Sequence, residues 1–132
     1  MNTKCRYAIT ACLMIAFVAS LARAQTVATP VLSKDLPEFA GKEVVVSTVV
    51  YPPAVASPPH RHDAHTFVYV LEGSVVMQVA GGQAVTLGPG QTFYENPTDV
   101  HSTSKNASQT APAKILVFMI KEKGKPPTRP AE

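Results

Sequence analysis

The chain has 132 residues, with 12 basic and 9 acidic side chains, 4 histidines, 2 cysteines and 12 prolines. This length fits one domain. Apolar residues make up 45% and charged residues 16%, a composition that excludes a chain disordered throughout.

Residues 1–24 are expected to be a cleavable secretory leader. Lys4 and Arg6 give a positive start, and Ala8 to Ala22 is almost wholly apolar. That run has the length of a signal core rather than of a bilayer span. Ala22-Arg23-Ala24 puts small residues at the −3 and −1 positions of a cut before Gln25. Ile9-Thr10-Ala11-Cys12 is similar to a lipoprotein box, but almost no apolar core precedes it.

Cleavage changes the charge balance. Lys4, Arg6 and Arg23 leave with no acidic residue, so residues 25–132 keep 9 basic and 9 acidic side chains out of the original 12 and 9. The net charge of +3 therefore belongs to the leader. Nucleic-acid binding, which needs a basic patch on the folded domain, loses its support. Cys5 and Cys12 leave as well, so neither a disulfide nor a thiolate ligand is available to the remainder. The expected location is the periplasm or the outside of the cell, with no membrane attachment after cleavage.

Residues 25–41 are predicted to be a polar, Pro-containing lead-in. Lys42 to Val50 is rich in β-branched valine and predicts a strand. Tyr51 to Pro59 holds four prolines and predicts a stiff loop or edge segment. Further strands are predicted at Thr66–Leu71, Ser74–Val79, Gln83–Leu87, Gln91–Tyr94 and Val100–Thr103. Glu72-Gly73, Gly81-Gly82, Gly88-Pro89-Gly90 and Asn96-Pro97 supply the turns between them. Ala113 to Ile120, apolar apart from Lys114, is a run fit for a buried strand. Residues 121–132 are charged and Pro-rich and predict a flexible tail. Seven or eight short strands with regular turns indicate an all-β sandwich or barrel over residues 42–120.

Three of the four histidines fall within six residues: His60, His62 and His65. His101 lies about 40 residues on, just after a Pro turn. Strand alternation puts His60 and His62 on one face, roughly 7 Å apart at Cα. Two imidazoles so placed can converge on one ion, and a third from a neighbouring strand completes a facial set. Neutral imidazole suits a divalent transition metal. A surface cluster on a Pro-rich loop would show the same spacing.

The segment from Pro59 to Gly73 (PHRHDAHTFVYVLEG) resembles the first motif of the cupin superfamily: Gly, five residues, His-x-His, three or four residues, Glu, six residues, Gly. Gly90 to His101 resembles its second motif, with Asn106 in place of that motif's closing Asn. The resemblance implies a small cupin-type β-barrel (a double-stranded β-helix or jelly roll). It also implies a metal held by His60, His62 and His101, whether Fe, Mn, Ni, Zn or Cu.

The departures are specific. Thr66 falls where the family has its Glu ligand, and Ala54 falls near the leading Gly. Asn96 and Thr98 replace the Pro and Gly of the second motif. The fourth metal position is therefore open, since threonine is a poor substitute for a carboxylate. Water comes first. Glu95, as ligand or as acid/base, is second, because it has the parity of Phe93 and His101. His65 is third, because alternation turns it away unless a bulge at Asp63-Ala64 intervenes.

The resemblance allows dioxygenase, isomerase, decarboxylase or hydrolase chemistry on a small organic substrate. The alternatives are a non-catalytic module holding a sugar-like molecule or small acid, and a barrel without metal. A homodimer is expected through the apolar run Ile115 to Ile120, which could cover an edge or face.

Overall fold

The computed structural model describes residues 24–131. The expected leader, apart from Ala24, lies outside the described residues. Among these there is no helix; the chain forms two antiparallel sheets. In chain order the strands are β1 (Val27–Asp35), β2 (Lys42–Tyr51), β3 (Ala56–Ser57), β4 (His60–Arg61), β5 (His65–Glu72), β6 (Val75–Val79), β7 (Val85–Leu87), β8 (Thr92–Glu95), β9 (His101–Asn106), β10 (Ala113–Glu122) and β11 (Arg129–Pro130). The first sheet has the order β1-β2-β10-β5-β8. The second runs β11-β4-β9-β6-β7, and β3 also pairs with β9.

Alternation decides which side chains meet between the sheets. In β5, Thr66, Val68 and Val70 are buried while His65, Phe67 and Tyr69 are exposed. In β10, Ala113, Ile115, Val117 and Met119 point into the core. Val75, Met77 and Leu87 meet them from the second sheet, and Val70, Val75 and Met77 are fully buried. Each such side chain contributes roughly 1.5–3 kcal/mol of transfer free energy. Tyr51 ends β2 before Pro52 and crosses the core, where its hydroxyl shares a 2.6 Å hydrogen bond with that of Ser104 on β9.

The run 113–120 is therefore buried on one face only. Its other face presents Leu116, Phe118 and Ile120, all half-buried. These lie beside Phe67 and Tyr69 on β5, which stay 44% and 45% exposed.

Three segments differ from the sequence expectation. Residues 27–35 form a strand inside the supposed lead-in, paired with β2 along the sheet edge, with a bulge between Pro30 and Leu32. An edge strand is where a proline is tolerated. The stiff loop after Tyr51 contains the two-residue β3. The supposed tail contains the end of β10, with Lys121 buried and bonded to Glu43 at 2.6 Å. It then returns as β11 to pair with β4.

Candidate metal centre

His60 and His101 face each other across the β4–β9 ladder, and His62 lies one residue past β4. Their ring centroids are 4.8 Å (His60–His62), 4.9 Å (His60–His101) and 6.2 Å (His62–His101) apart. One ligand nitrogen from each of the three lies within 4.8 Å of the others. Donors about 2.1 Å from one ion span at most about 4 Å. The remaining gap is of a size that small side-chain rotations close. The convergence expected for His60, His62 and His101 is what the fold builds.

The imidazoles are oriented. His60 donates from Nδ1 to the Pro58 carbonyl at 2.8 Å, and His62 donates from Nδ1 to the Pro127 carbonyl at 2.8 Å. A carbonyl only accepts, so each bond fixes the proton on Nδ1 and leaves the Nε2 lone pair for an ion. Burial, and then like charge from His62 and His101, hold His60 below the ordinary imidazole value, against the opposing pull of the Pro58 bond. A neutral ring is the form a metal requires.

Glu95 ends β8 directly opposite Thr66 in the β5–β8 ladder. The nearest carboxylate to the position of Thr66 is thus on the neighbouring strand. Glu95 is 2% exposed, with Oε1 3.1 Å from His101 Nδ1 and 3.8 Å from His62 Nε2. The 3.1 Å approach is not aligned as a hydrogen bond. Glu95 Oε1 and both ring nitrogens of His101 are buried without a hydrogen-bond partner. Orphaned buried polar atoms are costly, and a buried carboxylate oxygen and a buried imidazole left without partners beside two oriented imidazoles fit a cation. Three imidazoles and a carboxylate suit a transition metal better than calcium or magnesium, which prefer all-oxygen sets.

Phe93, on the inner face of β8 with Glu95, stacks on His101 at 5.9 Å between centroids. The turn between Glu95 and His101 is held by Asn96 and Asp99, which exchange bonds of 2.8 and 3.1 Å.

The other candidates for the fourth position lie differently. His65 is exposed on the outer face, its Nδ1 2.6 Å from the Tyr94 hydroxyl, so no bulge turns it inward. Thr66 is fully buried, but its hydroxyl donates to the Ala64 carbonyl at 3.4 Å. Arg61 donates to the Thr98 carbonyl and stays outside the cluster. Asn106 is a structural residue: its buried amide donates to the carbonyls of Tyr51, Pro52 and Ala111.

A cavity of about 570 Å³ opens onto the histidines and Glu95. Its inner wall is apolar, with Val49, Val68, Ile115, Val117 and Met119, and the hydroxyls of Tyr51 and Ser104 form a polar patch. Sequence reasoning missed this hydroxyl pair and the part played by Pro127, Thr128 and Arg129 at the rim. Neither has a local signal, since the partners are 53 or more residues apart.

No curated protein matches the chain. Solved structures do. An uncharacterized conserved protein with a double-stranded β-helix domain from Klebsiella pneumoniae is 19% identical, with a TM-score of 0.63 over 84% of this chain and 88% of that one. The polyketide cyclase RemF from Streptomyces resistomycificus is 25% identical, with a TM-score of 0.61 over 82% and 72%. The DMSP lyase DddQ from Ruegeria pomeroyi is 19% identical, with a TM-score of 0.58 over 67% of this chain, which spans only 43% of that protein. The sequence profile of the cupin domain matches residues 47–119, more than half of the chain. With both motif histidine sets converging inside a double-stranded β-helix, the chain belongs to the cupin family.

Proposed function

We propose that this cupin is a secreted or periplasmic metal-dependent enzyme acting on a small oxygen-bearing organic molecule. In this reading His60, His62 and His101 hold a divalent transition metal, and Glu95 is the fourth ligand or a neighbouring acid/base. The carrying observation is the set of unpartnered buried atoms on Glu95 and His101 at the inner end of the cavity. When bound, such a metal supplies Lewis-acid or redox chemistry at coordination positions left open by the protein. The chain's own part is to orient Nε2 of His60 and His62, to shield the centre with Phe93, and to seat the substrate's apolar part against the valine and isoleucine wall. Solved relatives of this fold include a polyketide cyclase and an oxalate oxidase bound to the substrate analogue glycolate, a small hydroxy acid. These support the substrate size but do not choose the reaction, which fold alone never does.

The test is turnover of a panel of small hydroxy acids and oxygenated aromatics by protein loaded with Fe(II), Mn(II), Ni(II), Cu(II) or Zn(II). Oxygen uptake or product formation with one metal is expected. Absence of turnover with all five, with ligands still raising the melting temperature, would replace this reading by a non-catalytic binding module. The observation that favours that second reading is Thr66, which stands where the family has its carboxylate ligand.

We also propose that a second copy covers the outer face of the first sheet. Strands β2 and β10 are apolar on both faces, a pattern of strands covered on both sides. A two-fold contact centred on Leu116, Phe118 and Phe67 would cover it with the same patch from each subunit.

A further inference from the structure

The C-terminal segment beyond β10 carries no local signal for structure, yet it touches the centre. After a turn at Gly124 it runs back along β4. Arg129 and Pro130 pair with Arg61 and His60, and the Ala131 amide donates to the Pro59 carbonyl at 3.3 Å. On the way it places the Pro127 carbonyl 2.8 Å and the Thr128 hydroxyl 3.3 Å from Nδ1 of His62. Pro127, Thr128, Arg129 and Pro130 also form part of the cavity rim.

One ion pair fastens the segment. Arg129 grips Asp63 with two bonds, Nε at 2.5 Å and a terminal nitrogen at 3.1 Å. Asp63 follows His62 directly and sits in the left-handed region at φ 49°, which Asp tolerates better than most residues. The latch therefore closes beside the ligand it orients. Apart from Arg129 and Ala131, the segment is exposed, and a piece with few buried contacts opens at low free-energy cost. Its three prolines, Pro126, Pro127 and Pro130, restrict the open chain and so lower the entropy lost on closing.

We propose that residues 126–131 are a latched strap that sets the His62 ring for metal binding through the Pro127 carbonyl and closes the rim of the cavity. The proposal rests on the metal centre inferred above. His60 needs no such help, because the neighbouring Pro58 carbonyl orients it from within its own loop. Pro127 is a positioning residue, since it touches the ligand and not the ion. Loss of a bond that orients a ligating histidine weakens metal binding by about 10–100-fold.

The experiment uses Co(II) as the probe and three variants: Asp63→Asn, Arg129→Gln, and a chain ending at Lys125. Chelator competition gives Co(II) affinity, and ¹⁵N spectra of the metal-free proteins give the tautomer of each histidine ring. The shortened chain should bind Co(II) about 10–100-fold more weakly, and the point variants should shift the same way by less. His62 should lose its fixed Nδ1–H tautomer while His60 keeps its own. Unchanged affinity with an unchanged His62 tautomer overturns the proposal. So does weaker binding with an unchanged His62 tautomer, because the loss then arises elsewhere. If the intact chain fails to bind Co(II), the metal centre itself fails. The tautomer then decides the strap alone, with a freed His62 ring supporting it and an unchanged one overturning it.

Discussion

Replacing Glu95 by Gln separates folding from metal binding. The carboxylate is 2% exposed and its Oε1 has no hydrogen-bond partner. Gln keeps the shape and brings an amide donor that, after a small rotation into line, can meet the unpartnered Nδ1 of His101, 3.1 Å away. The metal-free variant should therefore gain about 1 kcal/mol, the usual net worth of one hydrogen bond. For a domain near 100 residues that is a rise in Tm of about 4–8 °C. The metal-bound protein should respond in the opposite sense. A metal at 100 times its Kd adds about 2.7 kcal/mol to the stability of the intact protein, or about 11–22 °C. If loss of the carboxylate weakens binding about a hundredfold, the upper end for a supporting partner, the same metal adds only about 0.4 kcal/mol. The shift then falls to about 2–3 °C. Differential scanning calorimetry of both proteins, with and without Ni(II), reads all four values. A metal-induced shift as large in Glu95→Gln as in the native chain would refute ligation by Glu95 and leave it an acid/base group or a bystander.

Other consequences can be measured separately. Gly73 holds φ +69°, and a Cβ there would lie 2.5 Å from the Pro112 carbonyl oxygen and 2.8 Å from Ala113 Cα. Gly73→Ala should cost about 2–5 kcal/mol, from left-handed strain plus overpacking, and urea titration should show a lower midpoint. The Lys121 bond holds the Glu43 carboxyl below its ordinary value of 4.5. Its contribution is complete above the unfolded-state pKa and is lost as pH falls through the lower folded value. Acid titration of Glu43→Gln should thus lack part of the native loss of stability below pH 4.5, and an identical acid profile would contradict this. Phe118→Asp should halve the mass seen by light scattering if two copies meet on the outer face. A native chain that is already monomeric would remove the dimer.

The inner face of the barrel was legible because it follows from local parity. Alternation alone sends Thr66, Val68 and Val70 inward and His65 outward, and the structure agrees at each of these. Parity also carried across the Pro turn to Glu95 and Phe93, because the Asn96–Asp99 bonds fix the path to His101. What stayed hidden is held by distant partners. Strand β1 is exposed along its whole length and exists through its ladder with β2 and the Lys123–Asp35 ion pair. The strap depends on Asp63 and His62, 66 and 65 residues from their partners Arg129 and Pro127. The placing of Glu95 opposite Thr66 needs the β5–β8 register, which no single strand encodes. The apolar run 113–120 gave the right strand, but not which face is the core, because hydrophobicity does not distinguish a core from a face open to a partner.

The most direct test is elemental analysis of the native protein purified without added metal, alongside His101→Ala. About one divalent transition-metal ion per chain in the native protein, with little or none in the variant, is the expected result. Near-equal, substoichiometric metal in both would contradict a centre built on His60, His62 and His101.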